Sequence, residues 1–337
     1  VNAKVTQVPQ VFIPYTEVLN LYDAGMKVPD DVIICWPDDN FGYIRRLPTA
    51  AERARPGGSG IYYHIQWLNG ATTAYTWLNT TPPALMWTEL NRAWQHGATK
   101  LWVLNVGDIK PGEVGLEFFF DLAWTPQRWR HDNLRRFLEQ WAARDLDAAS
   151  APEIAAIMEE HFRLGFTRRR EHLVQYRQGE YSYSWFSHDH YGDEARQRLD
   201  HYFRLSSRAQ AVYDRLPIER KDAFFQLVLY PVQCAAFINQ KVISADKSTH
   251  YAAQGHARAL CDALGARGAD QQIRKLTVRY NTGLLTVSNK WNHMMSPAPG
   301  PWGNQFRQFD MPPLSEYSGS GAAALGVICE EIGRAHV

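Results

Sequence analysis

Over the first third of the chain, short apolar runs alternate with polar stretches punctuated by Gly and Pro; after it, helical spacings take over. Val32-Ile33-Ile34-Cys35-Trp36 is an uninterrupted apolar run, the form a strand takes when both of its faces are covered. It stops abruptly at Pro37-Asp38-Asp39-Asn40-Phe41-Gly42-Tyr43. A second strand, Gly60-Ile61-Tyr62-Tyr63-His64-Ile65, follows the breakers Pro56-Gly57-Gly58 and carries His64 at its far end. The third, Lys100-Leu101-Trp102-Val103-Leu104-Asn105-Val106, runs into Gly107-Asp108-Ile109-Lys110-Pro111-Gly112-Glu113. Between the last two strands, residues 82–96 predict a helix, with Thr80 and Thr81 as caps, prolines in the first turn and Gly97 as its stop. A further helix is expected over 114–122, and residues 8–23 read as a helix leading into the first strand. This is a β/α alternation.

After Trp124-Thr125-Pro126, Gly and Pro become sparse and apolar residues recur at spacings of three and four. Helices are expected over 128–144, 152–166, 193–215, 217–239, 248–264 and 270–291, and together they predict an antiparallel helical bundle. Residues 175–192 form an aromatic-rich connection, a packed loop or a surface that meets the barrel. His188 and His190 within it lack a third nearby ligand for a metal. Residues 1–124 are thus read as α/β, 125–296 as the bundle, and 297–331 as the start of a further domain. The last six residues, 332–337, have the character of translated sequencing-adapter read-through and are set aside from fold reasoning, so the natural protein is expected to be longer.

With 36 Lys and Arg against 35 Asp and Glu among 337 residues, the near-neutral chain gives no reason to expect nucleic acid or an anionic membrane as partner. Arg168-Arg169-Arg170 then reads as a solvated helix face. No apolar run approaches the roughly 18 residues that span a bilayer. Cys35, Cys234, Cys261 and Cys329 lie far apart and form no zinc spacing; the first three are expected to be free buried thiols. Aromatics are abundant, with Trp 12, Tyr 16 and Phe 15, and their flat apolar faces suit both a large core and a sugar ring.

The candidate chemistry lies at the three strand ends. Carboxylates just past the carboxyl ends of parallel strands sit where (β/α) barrels do their chemistry. Asp38, Asp39, Asp108 and Glu113 stand there, with His64, Asn105, Lys110, Arg45 and Arg46 beside them. Each acid also has a plainer use: Asp38 or Asp39 as the cap of a following helix, and Glu113 as a first-turn carboxylate favoured by the helix dipole. Arg45 and Arg46 equally suit structural ion pairs.

The motifs Trp36-Pro37-Asp38-Asp39-Asn40-Phe41-Gly42-Tyr43-Ile44-Arg45-Arg46-Leu47, Gly58-Ser59-Gly60-Ile61-Tyr62-Tyr63-His64, Trp77-Leu78-Asn79-Thr80-Thr81, Asn105-Val106-Gly107-Asp108-Ile109-Lys110-Pro111 and Lys290-Trp291-Asn292-His293-Met294-Met295 together resemble glycoside hydrolase family 115, the xylan α-glucuronidases. The resemblance runs in one order through nearly all of residues 1–331. It implies the C-terminal part of a (β/α)8 TIM-type barrel followed by the bundle, and an enzyme that removes α-linked glucuronic acid, often 4-O-methylated, from xylan or a related plant polysaccharide with inversion. No cofactor is implied. The full-length protein is expected to be secreted or periplasmic, its bundle offering a face for a homodimer, and the isolated 337 residues to be inactive and poorly soluble.

Inversion needs one carboxylic acid to protonate the leaving oxygen and one carboxylate to activate a water on the opposite sugar face. Asp39 and Glu113 lead for these roles, with Asp38 and Asp108 as orienting or alternate members; which is acid and which is base is left open. The uronate carboxylate calls for a cation or strong donors, for which Arg45, Arg46, Lys110 and His64 are the candidates. Tyr63 and Asn105 complete the substrate-binding set, and Tyr62 and Trp67 can border the sugar. The loop over 66–76 departs from the family, where a His-Asp-Tyr-like segment is common; Thr72-Thr73-Ala74-Tyr75 stands in its place. Two rival readings remain, a metal-assisted hydrolase using Asp38, Asp39, His64 and Asp108 as ligands, and a non-catalytic carbohydrate-binding or interaction protein.

Overall fold

A computed structural model describes residues 8–68, 75–173, 175–177, 180–182, 184–295 and 311–315. The expectations for residues 69–74, most of 297–331, Cys329 and the 332–337 tail lie outside the described residues. The chain divides into two compact units, one formed by residues up to 68 together with 79–138, the other by 69–78 and the chain from 139 onward.

The first unit is α/β. Four strands, β1 (Val11–Phe12), β2 (Ile33–Pro37), β3 (Ser59–His64) and β4 (Ala98–Asn105), form one parallel sheet in sequential order β1-β2-β3-β4. The helices α1 (Glu17–Asp23), α2 (Ala50–Arg53) and α3 (Pro83–Gln95) make the three crossovers, and α4 (Glu113–Trp124) follows β4. β2 is sealed on both faces, with Ile34, Cys35 and Trp36 buried, as its unbroken apolar run requires. β3 closes tightly on β4. A Cβ on Gly60 would lie 2.3 Å from the Leu101 carbonyl oxygen, so only glycine lets the strands approach this far.

The expected strands stand within about two residues of those observed, but the expected helix over 8–23 is in fact β1 followed by α1. The two residues of β1 are too few to show a period of two. Thr80 and Thr81 do not cap α3. Pro82 occupies the cap without a side-chain bond, and the Thr81 hydroxyl donates instead to the Ile65 carbonyl at 3.1 Å. A capping box does form at α2, where Thr49 accepts from the Glu52 N–H and Glu52 accepts from the Thr49 N–H.

The second unit is mainly helical. The first unit ends within α5 (Leu134–Asp145); then come α6 (Ala151–Thr167), a 3-10 turn (Arg170–His172), the antiparallel pair β5 (Gln175–Arg177) and β6 (Glu180–Ser182), and α7 (Glu194–Arg215). α8 (Ile218–Phe224) passes through a π turn (Phe225–Leu229) into α9 (Tyr230–Ala253), and α10 (Arg258–Thr282) follows. The breaks expected at 240–247 and 265–269 therefore do not exist. Lys241, Asp246 and Lys247 look like a polar interruption in the sequence yet are buried inside α9. Asp270 of α10 accepts from Lys241 Nζ at 2.7 Å and from Arg274 Nε at 2.7 Å, which makes burial of the ammonium tolerable. Cys35 and Cys234 are buried, whereas Cys261, expected to be buried, is exposed. No helix of the described residues is long and apolar enough to cross a membrane.

Candidate functional site

Every chain segment that leaves the carboxyl edge of the sheet contributes to one polar cluster in the first unit. Asp38 follows β2 and is almost fully buried, its two side-chain oxygens held by hydrogen bonds. Its Oδ1 accepts from the Asn40 N–H at 3.1 Å and from His64 Nδ1 at 2.6 Å; its Oδ2 accepts from the Gly42 and His64 N–H groups at 3.1 and 3.0 Å. One carboxylate thus folds the β2–α2 loop back on itself and fixes the ring of His64, 26 residues away. Nδ1 faces Asp38, so the imidazole turns Nε2 away from it. Nε2 is buried and has no partner among the described residues.

Aromatic rings wall the imidazole. Tyr15, three residues beyond β1, stacks on it with centroids 5.8 Å apart, and Tyr62 meets it edge-on at 4.7 Å. The Tyr15 hydroxyl donates to Asn40 Oδ1 at 2.7 Å and accepts from Trp67 Nε1 at 3.2 Å, while Asn105 Nδ2 donates to the Tyr62 hydroxyl at 2.8 Å. Burial raises the Tyr15 pKa, so its phenol stays protonated. Phe41 and Trp67 meet edge-on at 5.6 Å beside this network.

The remaining carboxylates are placed differently. Asp39 Oδ1 accepts from the Phe41 and Tyr43 N–H groups at 3.0 and 3.1 Å, and Oδ2 faces Arg45, whose Nη2 is 2.8 Å away. Glu113 opens α4 and pairs with Lys110 at 2.5 Å. Both are partly open to solvent, Asp39 23% and Glu113 26% exposed, unlike Asp38. Asp108 is exposed on the β4–α4 loop, its N–H donating to Gln66 Oε1 at 3.3 Å.

Of the residues singled out in the sequence, the structure therefore joins Asp38, His64 and Asn105 in one hydrogen-bonded and ring-packed cluster, and forms the pairs Asp39–Arg45 and Glu113–Lys110. Two others point elsewhere. Tyr63 alternates to the opposite face from His64, where its hydroxyl donates to the Gly42 carbonyl at 2.9 Å and its ring stacks on Phe119. Arg46 donates to both Glu52 oxygens at 2.7 and 2.6 Å, to Asp23 and to the Leu47 carbonyl, and lies over the Trp36 ring. Burial alone would raise the Glu52 pKa, but the bonds from Arg46 and Thr49 outweigh it and bring it down to about 2. Among the described residues, no three or more His, Cys, Asp or Glu are arranged to hold a metal ion.

Sequence reasoning missed Tyr15, Asn40 and Gln66. The signal for Tyr15 was the run Val11-Phe12-Ile13-Pro14, whose proline is at odds with a continuous helix across it.

Residues 1–172, more than half of the 337, match the sequence family described as glycosyl hydrolase family 115. Among solved structures, the chain is similar to a family 115 4-O-methyl-α-glucuronidase with specificity for decorated arabinogalactans. The TM-score is 0.80 at 36% identity, covering 98% of this chain and 42% of that one. The chain thus spans less than half the length of that relative. No curated protein matches it.

Proposed function

The chain belongs to glycosyl hydrolase family 115, and on that premise we propose that it is the portion of an inverting glycoside hydrolase that takes α-linked glucuronic acid, or its 4-O-methyl form, from a plant polysaccharide of the xylan or arabinogalactan type. In this reading β1 to β4 are consecutive strands in the C-terminal part of a (β/α)8 barrel, residues 125–296 form an antiparallel bundle, and 297–331 begin a further domain. The full-length protein works outside the cytoplasm as a homodimer.

The observation that carries the reading is the Asp38–His64 pair at the carboxyl edge of a parallel sheet, with a buried Nε2 that has no partner among the described residues, inside an aromatic wall. With all its lone pairs committed, Asp38 serves as the residue that orients His64 rather than as a proton carrier. Asp39 and Glu113, each partly open and each beside a cation, are the carboxylates left for the chemistry, with Asp108 as an alternate. One gives its proton to the glycosidic oxygen as the bond to the anomeric carbon breaks. The other removes a proton from the water that attacks that carbon from the opposite face, so the sugar leaves with inverted configuration. His64 Nε2 accepts from a sugar hydroxyl, Asn105 and Tyr62 border the ring, and Lys110 and Arg45 sit where a uronate carboxylate is drawn in. Arg46 and Tyr63 hold the scaffold.

The test is release of glucuronic acid from glucuronoxylan and from arabinogalactan by the complete protein, followed by proton NMR. The β anomer should appear first, and Asp39→Asn and Glu113→Gln should each slow release by about 10²–10⁴-fold. Undiminished release by either variant removes that residue from the mechanism, and initial appearance of the α anomer overturns inversion.

A further inference from the structure

Gln66 lies two residues beyond β3 and is completely buried. Its Oε1 accepts from the Asp108 N–H at 3.3 Å, which settles the orientation of the amide. The β4–α4 loop presses against it so closely that a Cβ on Gly107, where φ is +64°, would lie 2.9 Å from Gln66 Oε1. The other end of the amide is idle: Nε2, with two N–H groups, is buried and has no partner among the described residues. A buried donor left without an acceptor is destabilising, and such groups in native proteins are commonly met by a ligand or an ordered water.

Two residues earlier, His64 presents another buried polar atom without a partner among the described residues. The two differ in kind. His64 Nε2 is a ring nitrogen that can accept as well as donate, so it can meet a hydroxyl. Gln66 Nε2 only donates and suits an oxygen that only accepts, as the oxygens of an ionised carboxylate do. Lys110 and Arg45, which draw the uronate in by charge, each also pair with an acid of the protein, Glu113 and Asp39, so a neutral donor is still wanted for the carboxylate oxygens.

We propose that Gln66 is a specificity-determining residue: its Nε2 donates to the carboxylate of the uronic acid, while its Oε1 holds Asp108 and so steadies the loop that carries Glu113. The proposal rests on the glucuronidase reading above.

Calorimetric titration of the complete protein with D-glucuronate and with D-glucose tests it. Thermal melts serve as the check on folding. The wild type should favour glucuronate. Gln66→Glu keeps an acceptor for the Asp108 N–H but sets a second carboxylate against the ligand, and should weaken glucuronate by about tenfold or more while glucose changes by less than about twofold. Gln66→Met, similar in length and without polar atoms, should also lower the ratio of glucuronate to glucose affinity, and it decides the matter if the Glu variant does not fold. A ratio unchanged in a folded variant overturns the role of Gln66. A wild type with no preference for glucuronate instead overturns the uronate reading itself.

Discussion

The residues that hold the site together are those whose partners lie far away in the chain. Adjacent acids in Asp38-Asp39 are equivalent in the sequence, yet one is sealed by four hydrogen bonds and the other opens to solvent beside Arg45. Burial separates them, and burial is a property of the fold. His188 illustrates the same dependence in the second unit. Burial pushes its imidazole down to about 4, with Lys247 and His250 adding repulsion that Asp193 and Asp189 only partly oppose. Because the folded pKa lies below the ordinary value of 6.5, the unfolded chain binds a proton in the interval that the folded chain does not. Stability from this residue is complete above pH 6.5, falls as the pH drops, and is gone below about 4. The unfolding free energy of His188→Gln from urea titration should accordingly vary less between pH 7 and pH 4.5 than that of the parent, by about 1–3 kcal/mol. An equal decline in both proteins would show that other groups govern the acid limb.

At the scale of elements, the strands were readable where three or more apolar residues run together between breakers, as in β2, β3 and β4. β1 was not, since its two residues take their strand form from pairing with Ile33 and Ile34 rather than from any pattern of their own. α9 and α10 were cut in the wrong places for a related reason. Lys241 inside α9 is matched by Asp270 on α10, an interaction that local periodicity cannot register. Glycine, by contrast, marked a true constraint at Gly60, although the sequence alone does not say what it faces. Gly60→Ala should drive β3 from β4, since the new methyl would meet the Leu101 oxygen and Cys35 Sγ at 2.3 and 2.7 Å. A loss of about 3 kcal/mol or more in chemical denaturation is expected. A loss below about 1 kcal/mol would mean that the sheet gives way locally without cost.

At the scale of the whole molecule, the sequence conveyed the change from α/β to helical character and the polar carboxyl edge, because both rest on composition and spacing. It did not convey which thiols the fold hides. Cys35 is buried in β2, where desolvation raises its pKa to about 11, and Cys234 is pushed up further still inside α9. Brief treatment of the folded protein with a maleimide, followed by peptide mapping, should therefore label Cys261 and leave these two unmodified until denaturant is added. Early labelling of Cys35 or Cys234 would show that the interior opens readily. The Asp38 carboxylate has a consequence on a longer timescale. It ties three backbone amides and aims one imidazole, so a lineage that loses it forfeits shape and reactivity in a single step, whereas a neighbour that touches only the loop can drift and retune what is recognised. Evolvability in this protein is thus expected around the hub and not at it.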